Sequence, residues 1–143
     1  MIANNYLFPQ ITKETVYKIL SVLLLINVFR YLPLSLFMPG QVGADFPNEV
    51  RNWIAFGDLI SGLLSLTAYL VWQRNKMEGI FWVWTFSIIS SVDIISVLYI
   101  ALSNKVYLFP LGANYFTVVL YVPLLIVIQY VIFKILLSKK QLL

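Results

Sequence analysis

The chain contains no cysteine and no histidine. Without cysteine there is no disulfide, no thiol nucleophile and no thiolate metal site. Without histidine there is no imidazole to ligate a b-type haem, and isolated methionines do not replace a bis-histidine pair. Neither a metal nor a cofactor is expected. Charge is scarce too: 11% of the residues are Asp, Glu, Lys or Arg, against roughly 25% in an ordinary soluble domain. That leaves few groups able to act as general acids or bases. No phosphate-binding loop, metal-ligand spacing or nucleophile elbow is present either. An enzyme is not expected.

What is abundant is apolar surface. Of the 143 residues, 61% are hydrophobic, and the mean hydropathy is +0.87. A helix crosses the hydrocarbon core of a bilayer with ~20 mostly apolar residues. Four such segments can be drawn, at about 17–37, 53–72, 80–102 and 115–137. They use most of the chain and leave no room for a soluble catalytic domain. The predicted fold is all-α, one transmembrane domain over residues 1–143 built as a four-helix bundle. Residues 1–10 are polar and aromatic, and no small-residue cleavage site follows the first apolar stretch. It is therefore read as a retained helix rather than a signal or transit peptide.

The net charge of +4 is distributed unevenly. Lys13, Lys18, Arg74, Lys76, Lys134, Lys139 and Lys140 fall on one side of four threaded helices, and only Arg51 and Lys105 on the other. The positive-inside rule then places both termini in the cytoplasm. A basic rim of this kind implies contact with anionic membrane lipids, and no nucleic-acid partner is expected.

Three charges break the apolar runs: Arg30, Asp58 and Asp93. An ionised group at the centre of a membrane helix costs at least ~2.5–3.5 kcal/mol, so such residues face a partner or a hydrated cavity. Depth follows from the ~1.5 Å rise per residue. Arg30 lies ~10 Å below the outer end of helix 1, Asp58 ~8 Å into helix 2 and Asp93 ~14 Å into helix 3. All three fall in the outer half of the membrane, within reach of one long arginine. The spacing predicts an Arg30–Asp58–Asp93 cluster joining helices 1, 2 and 3. One guanidinium and two carboxylates leave an excess negative charge, which favours a proton on one aspartate. Asp93, nearer the midplane, is the expected holder.

The neighbours of these charges are small or polar. Gly57, Ser61 and Ser65 recur every four residues, and with Gly62 they form the small-residue pattern of closely packed membrane helices. Ser61 also shares a broad face with Asp58, which either packs or lines a polar cavity. Ser90, Asp93 and Ser96 share a stripe on helix 3, although serines in spans often bond back to their own helix. Gln129 on helix 4 is placed to bond Ser65 or Ser87 at similar depth. Pro33 and Pro123 predict bends in helices 1 and 4, and a threonine of Thr12-Lys13-Glu14-Thr15 is the predicted cap of helix 1. Glu78 is read as the solvated ion-pair partner of Lys76 and Arg74. Trp53, Trp72, Trp82 and Trp84 are read as interfacial anchors.

With Gly57-Asp58 opening helix 2, Gly62 four residues after the aspartate, Asp93 in helix 3 and Tyr121-Val122-Pro123-Leu124 in helix 4, the chain resembles a group of small, uncharacterised bacterial four-helix integral membrane proteins. The likeness covers about residue 46 to the end of helix 4. It implies a multi-pass protein of the bacterial cytoplasmic (inner) membrane and directs attention to Asp58 and Asp93. In that group the fourth helix often carries a histidine where Gln129 stands, so a proton-carrying role there does not transfer to this chain. No activity comes with the resemblance.

Two functions remain open from the residues. One is an ion- or proton-coupled transporter or channel subunit using Arg30, Asp58 and Asp93, with Ser61, Ser90 and Ser96 as further site candidates. Four helices are thin for a complete pathway, so a homo-oligomer is expected with it. The other is a non-enzymatic lipid- or small-molecule-binding protein, or an accessory subunit, in which the cluster is structural.

Overall fold

In hydrocarbon every backbone N–H and C=O must be satisfied internally, and apolar runs of this length meet that demand as helices. The computed structural model describes residues 13–43, 45–112 and 114–138. Helix α1 (Lys13–Val28) continues without a break into a 3-10 helix, Phe29–Phe37. Helices α2 (Asn48–Arg74) and α3 (Lys76–Ser103) follow. The fourth span is composite: α4 (Asn114–Phe116), a π-helical turn (Thr117–Tyr121) and α5 (Val122–Leu137). The four spans Glu14–Phe37, Asn48–Arg74, Lys76–Ser103 and Asn114–Leu137 are each long and apolar enough to cross a bilayer. The architecture is an all-α four-helix bundle, with no strand among the described residues.

The helices overrun the apolar segments that announce them. α2 starts five residues before the expected 53, because Asn48, Glu49, Arg51 and Asn52 continue the helix beyond its apolar core. α3 starts at Lys76 rather than 80. α1 is already helical at Lys13, ahead of the expected 17; Thr12, a candidate for the predicted cap, lies outside the described residues, as do residues 1–10, Lys139 and Lys140.

At both membrane prolines the helix changes type. Around Pro33 the first span tightens into nine residues of 3-10 helix. In the fourth span the backbone widens ahead of Pro123, and the Val122 N–H reaches back five residues to the Thr117 carbonyl. Both devices supply hydrogen bonds around a residue that has no N–H to give.

α2 and α3 form an antiparallel hairpin on Asn75. Its N–H donates to the Val71 carbonyl at 2.8 Å, ending α2. Its Oδ1 accepts from the Met77 N–H at 3.1 Å, capping α3. Its Nδ2 donates to Glu78 Oε1 at 2.9 Å. Glu78 is thus held by an amide, not by the expected ion pair with Lys76 and Arg74. Gly79 lets the two helices close: a Cβ there would stand 2.6 Å from Trp72 Cα.

The half of the bundle that holds the α2–α3 turn, called the inner half, has an apolar core of Leu20, Leu24, Ala68, Trp72, Val83, Phe86, Ile128, Ile132 and Leu136. Trp72 is buried and stacks on Tyr17 with ring centroids 5.5 Å apart. It is a core residue, not the interfacial anchor that its place in the sequence predicted. A second cluster, Phe46, Val50, Val106 and Leu111, closes the outer end. There the two outer loops meet, with the Gly43 N–H donating to the Pro110 carbonyl at 3.2 Å. Val22, Ile60, Leu63, Phe81, Ile95 and Val127 stand more than half exposed around the bundle, a surface suited to lipid chains.

Candidate functional site

Arg30 is the second residue of the 3-10 segment and is 1% exposed. Gly62 of α2 admits the first span closely at this level: a Cβ on it would lie 3.1 Å from the Val28 carbonyl oxygen and 3.7 Å from Arg30 Cβ. One turn inward, the Ser65 hydroxyl donates to the Leu24 carbonyl at 2.7 Å. Near the junction of α and 3-10 helix, the Tyr121 hydroxyl donates to the Ile26 carbonyl at 3.0 Å. The backbone that carries Arg30 is therefore clamped from α2 and from the fourth span.

The guanidinium gathers groups from two helices. Arg30 Nε donates to Asp58 Oδ1 at 2.8 Å, and Nη2 stands 2.7 Å from the same oxygen. Nη2 also donates to Asp93 Oδ2 at 2.5 Å, and Nη1 donates to Ser90 Oγ at 2.5 Å. The Ser61 hydroxyl donates to Asp93 Oδ2 at 3.1 Å. Ser90 passes the network to the fourth span, donating to Gln129 Oε1 at 3.2 Å, and Gln129 Nε2 donates to the Ser87 carbonyl at 3.0 Å. All four spans thus meet in one polar network. Buried charges are stable only when paired and hydrogen-bonded, and here the arginine is both.

The predicted residues divide clearly. Arg30, Asp58, Asp93, Ser61 and Ser90 come together, and Gln129 joins them through Ser90. Ser96 stays outside the hydrogen-bond network, its hydroxyl donating to the Val92 carbonyl of its own helix at 2.8 Å, but it lines the α2–α3 groove together with Asp93. Six residues beyond Ser90 rather than seven, it has rotated away from the network. Gly57, Ser61, Gly62 and Ser65 do allow close packing, but against two neighbours. Gly62 and Ser65 meet the first span, whereas Gly57 and Ser61 meet Asp93 of α3. Two further residues at the site, Tyr121 and Asn114, carry no signal in the sequence that marks them as such. A tyrosine or asparagine near a helix end reads as an anchor or a cap, and only the folded chain shows what it touches.

Each aspartate turns to a different space. Asp93, with Ser61, Gly57 and Trp53, lines an open groove of about 700 Å³ between α2 and α3. Asp58 lines a more enclosed cavity of about 330 Å³ beneath the outer loops, walled by Pro33, Phe46, Phe109, Asn114 and Tyr121 among others. Both contacts from Arg30 to Asp58 fall on Oδ1, so Oδ2 receives neither. Asp93 likewise takes its contacts on Oδ2, while Oδ1 faces Gly57. The arginine separates two carboxylates, each with one oxygen outside its grip. Were both ionised, the trio would carry one negative charge in excess, an arrangement that favours binding a proton or a cation.

No curated protein and no solved structure matches the chain. A family model does, over residues 1–137, and the chain belongs to the family described as a domain of unknown function, DUF8737.

Proposed function

We propose that the protein is a non-enzymatic subunit of an ion- or proton-coupled transporter or channel, and that Asp58 and Asp93, held by Arg30, form its proton- or cation-holding site. One observation carries this reading: a single buried guanidinium joins two carboxylates that open to two different cavities. A group that exchanges a proton or cation between two spaces needs that placement, whereas a purely structural pair gains nothing from it. The setting proposed is the bacterial cytoplasmic membrane with both termini in the cytoplasm, as the basic residues distribute. Because the inner half of the bundle is densely packed, a path across the membrane is assigned to a homo-oligomer.

The test is flux in proteoliposomes under an imposed pH gradient. Wild-type vesicles should dissipate the gradient faster than empty ones, and Asp93→Asn should abolish the difference. Wild-type flux equal to that of empty vesicles, with protons, sodium and potassium each tried, overturns the reading.

A second reading is favoured by the same closed inner half. The cluster then holds three helices together in a lipid-binding or accessory protein, and the α2–α3 groove takes a lipid. Native mass spectrometry showing a retained lipid, together with absent flux, supports it.

A further inference from the structure

The enclosed cavity beneath the outer loops has the composition of a ligand site. Its walls are apolar over most of their area, with Pro33, Leu36, Phe46 and Phe109 among them. Its volume, about 330 Å³, lies within the range of small-molecule pockets. Six side chains with polar atoms stand in its walls: Asp58, Tyr107, Asn114, Tyr115, Thr117 and Tyr121. The Tyr121 hydroxyl is occupied by the Ile26 carbonyl. Asp58 and Asn114 are held on one side and have capacity left. Asp58 gives only Oδ1 to Arg30. Asn114 accepts from the Ser35 hydroxyl at 2.7 Å on Oδ1, but its Nδ2 is buried with no hydrogen-bond partner. An amide donor without an acceptor in an apolar surround is costly, and such groups in native proteins call for an explanation.

The cavity also has a side opening. The π-helical turn that forms part of its wall contains no buried residue, and Leu102, Tyr107 and Val118 are at once wall residues and exposed. These residues belong to the end of α3, the loop after it and the fourth span, a surface that faces lipid when the four spans cross a bilayer. An occupant then arrives from the membrane. π-Helical turns within α-helices are frequent at functional sites.

We propose that this cavity binds a lipophilic amine carrying a neighbouring hydrogen-bond acceptor, such as an alkylated amino alcohol. The ammonium pairs with Asp58 Oδ2, the hydroxyl or carbonyl oxygen accepts from Asn114 Nδ2, and the hydrocarbon fills the apolar walls. The assignment rests on the reading of Asp58 as a cation-holding group and adds the class of cation. Bare metal cations do not suit the site, because it offers them one carboxylate in a mostly apolar wall.

The experiment is equilibrium binding to the full chain in lipid nanodiscs with N-octylethanolamine, n-octylamine and 1-octanol. N-octylethanolamine should bind saturably, and 1-octanol should only partition. Asp58→Asn should weaken the amines by about tenfold. Asn114→Ala should weaken N-octylethanolamine several-fold while leaving n-octylamine unchanged. Val118→Trp, which fills the cavity without touching the ion cluster, should abolish saturable binding. Equal binding of alcohol and amine, or binding by Asp58→Asn and Val118→Trp at the parental affinity, overturns the proposal. Proton flux measured without amine separates the two readings. Asp93-dependent flux without amine binding removes this assignment alone, and amine binding without flux removes the transport reading alone.

Discussion

Gly57 and Asp93 face each other across the α2–α3 seam so closely that a methyl group on the glycine would collide with Asp93 Oδ1. The hydrogen of Gly57 is what lets the carboxylate reach Arg30 while lining the groove. Gly57→Ala should displace Asp93 and cost about 1–3 kcal/mol, as overpacked sites do. It should also remove proton flux as Asp93→Asn does. Thermal unfolding of Gly57→Ala, Asp93→Ala and the pair in detergent checks it: the double variant should lose less than the sum of the two singles.

Gly79 makes the contrasting case. Its missing Cβ would press on the Trp72 backbone, which cannot rotate away as an aspartate side chain can. Gly79→Ala should cost more stability than Gly57→Ala, measured in the same unfolding assay. It should leave the Arg30 cluster, in the other half of the bundle, assembled.

Two serines separate helix-to-helix bonding from bonding within a helix. Ser65 donates to Leu24 of another span, and Ser96 donates to Val92 of its own. Ser65→Ala should cost ~0.6–2 kcal/mol, the range measured for interhelical hydrogen bonds in membranes. Ser96→Ala should change the unfolding midpoint by no more than the error.

Gln129 ties the fourth span to α3 through Ser87 and Ser90. Gln129→Leu keeps the volume and removes both bonds, with an expected loss of ~0.6–2 kcal/mol. Because the contacts of Asp58 and Asp93 with Arg30 do not pass through Gln129, proton flux should survive at close to the parental rate. A flux lost as fully as in Asp93→Asn would place Gln129 within the conducting site.

The parts of this molecule readable in the sequence are those set by one-dimensional rules. Apolar length marked the four spans, and the rise per residue placed Arg30, Asp58 and Asp93 at one depth. The helix ends were harder, because polar residues such as Asn48 and Glu49 continue a helix as readily as they stop one. Pro33 and Pro123 announced irregular backbone but not its kind. Whether a freed carbonyl is met by tightening to a 3-10 helix or widening to a π turn depends on neighbours such as Tyr121. The face of Asp58 and Ser61 marked a polar cavity as one alternative to packing, but not that there are two spaces or where each one lies. The enclosed cavity lies where the π turn of the fourth span contributes no buried residue and the outer loops meet at Gly43 and Pro110, and the groove lies along the α2–α3 seam. No local pattern encodes either fact. Ser96 shows the limit of periodicity: it shares a stripe with Asp93, and small rotation sends its hydroxyl back to Val92.

The most direct measurement is the thermal stability in detergent of Arg30→Met alone, with Asp58→Asn, and with both Asp58→Asn and Asp93→Asn. Removing one partner of a buried ion pair costs ~3–5 kcal/mol because the remaining charge has no counter-ion. Arg30→Met should therefore lower folded yield and unfolding temperature sharply, and each added asparagine should restore part of the loss. An Arg30→Met protein as stable as the parent, or one that the asparagines do not rescue, contradicts a cluster in which the three side chains depend on one another.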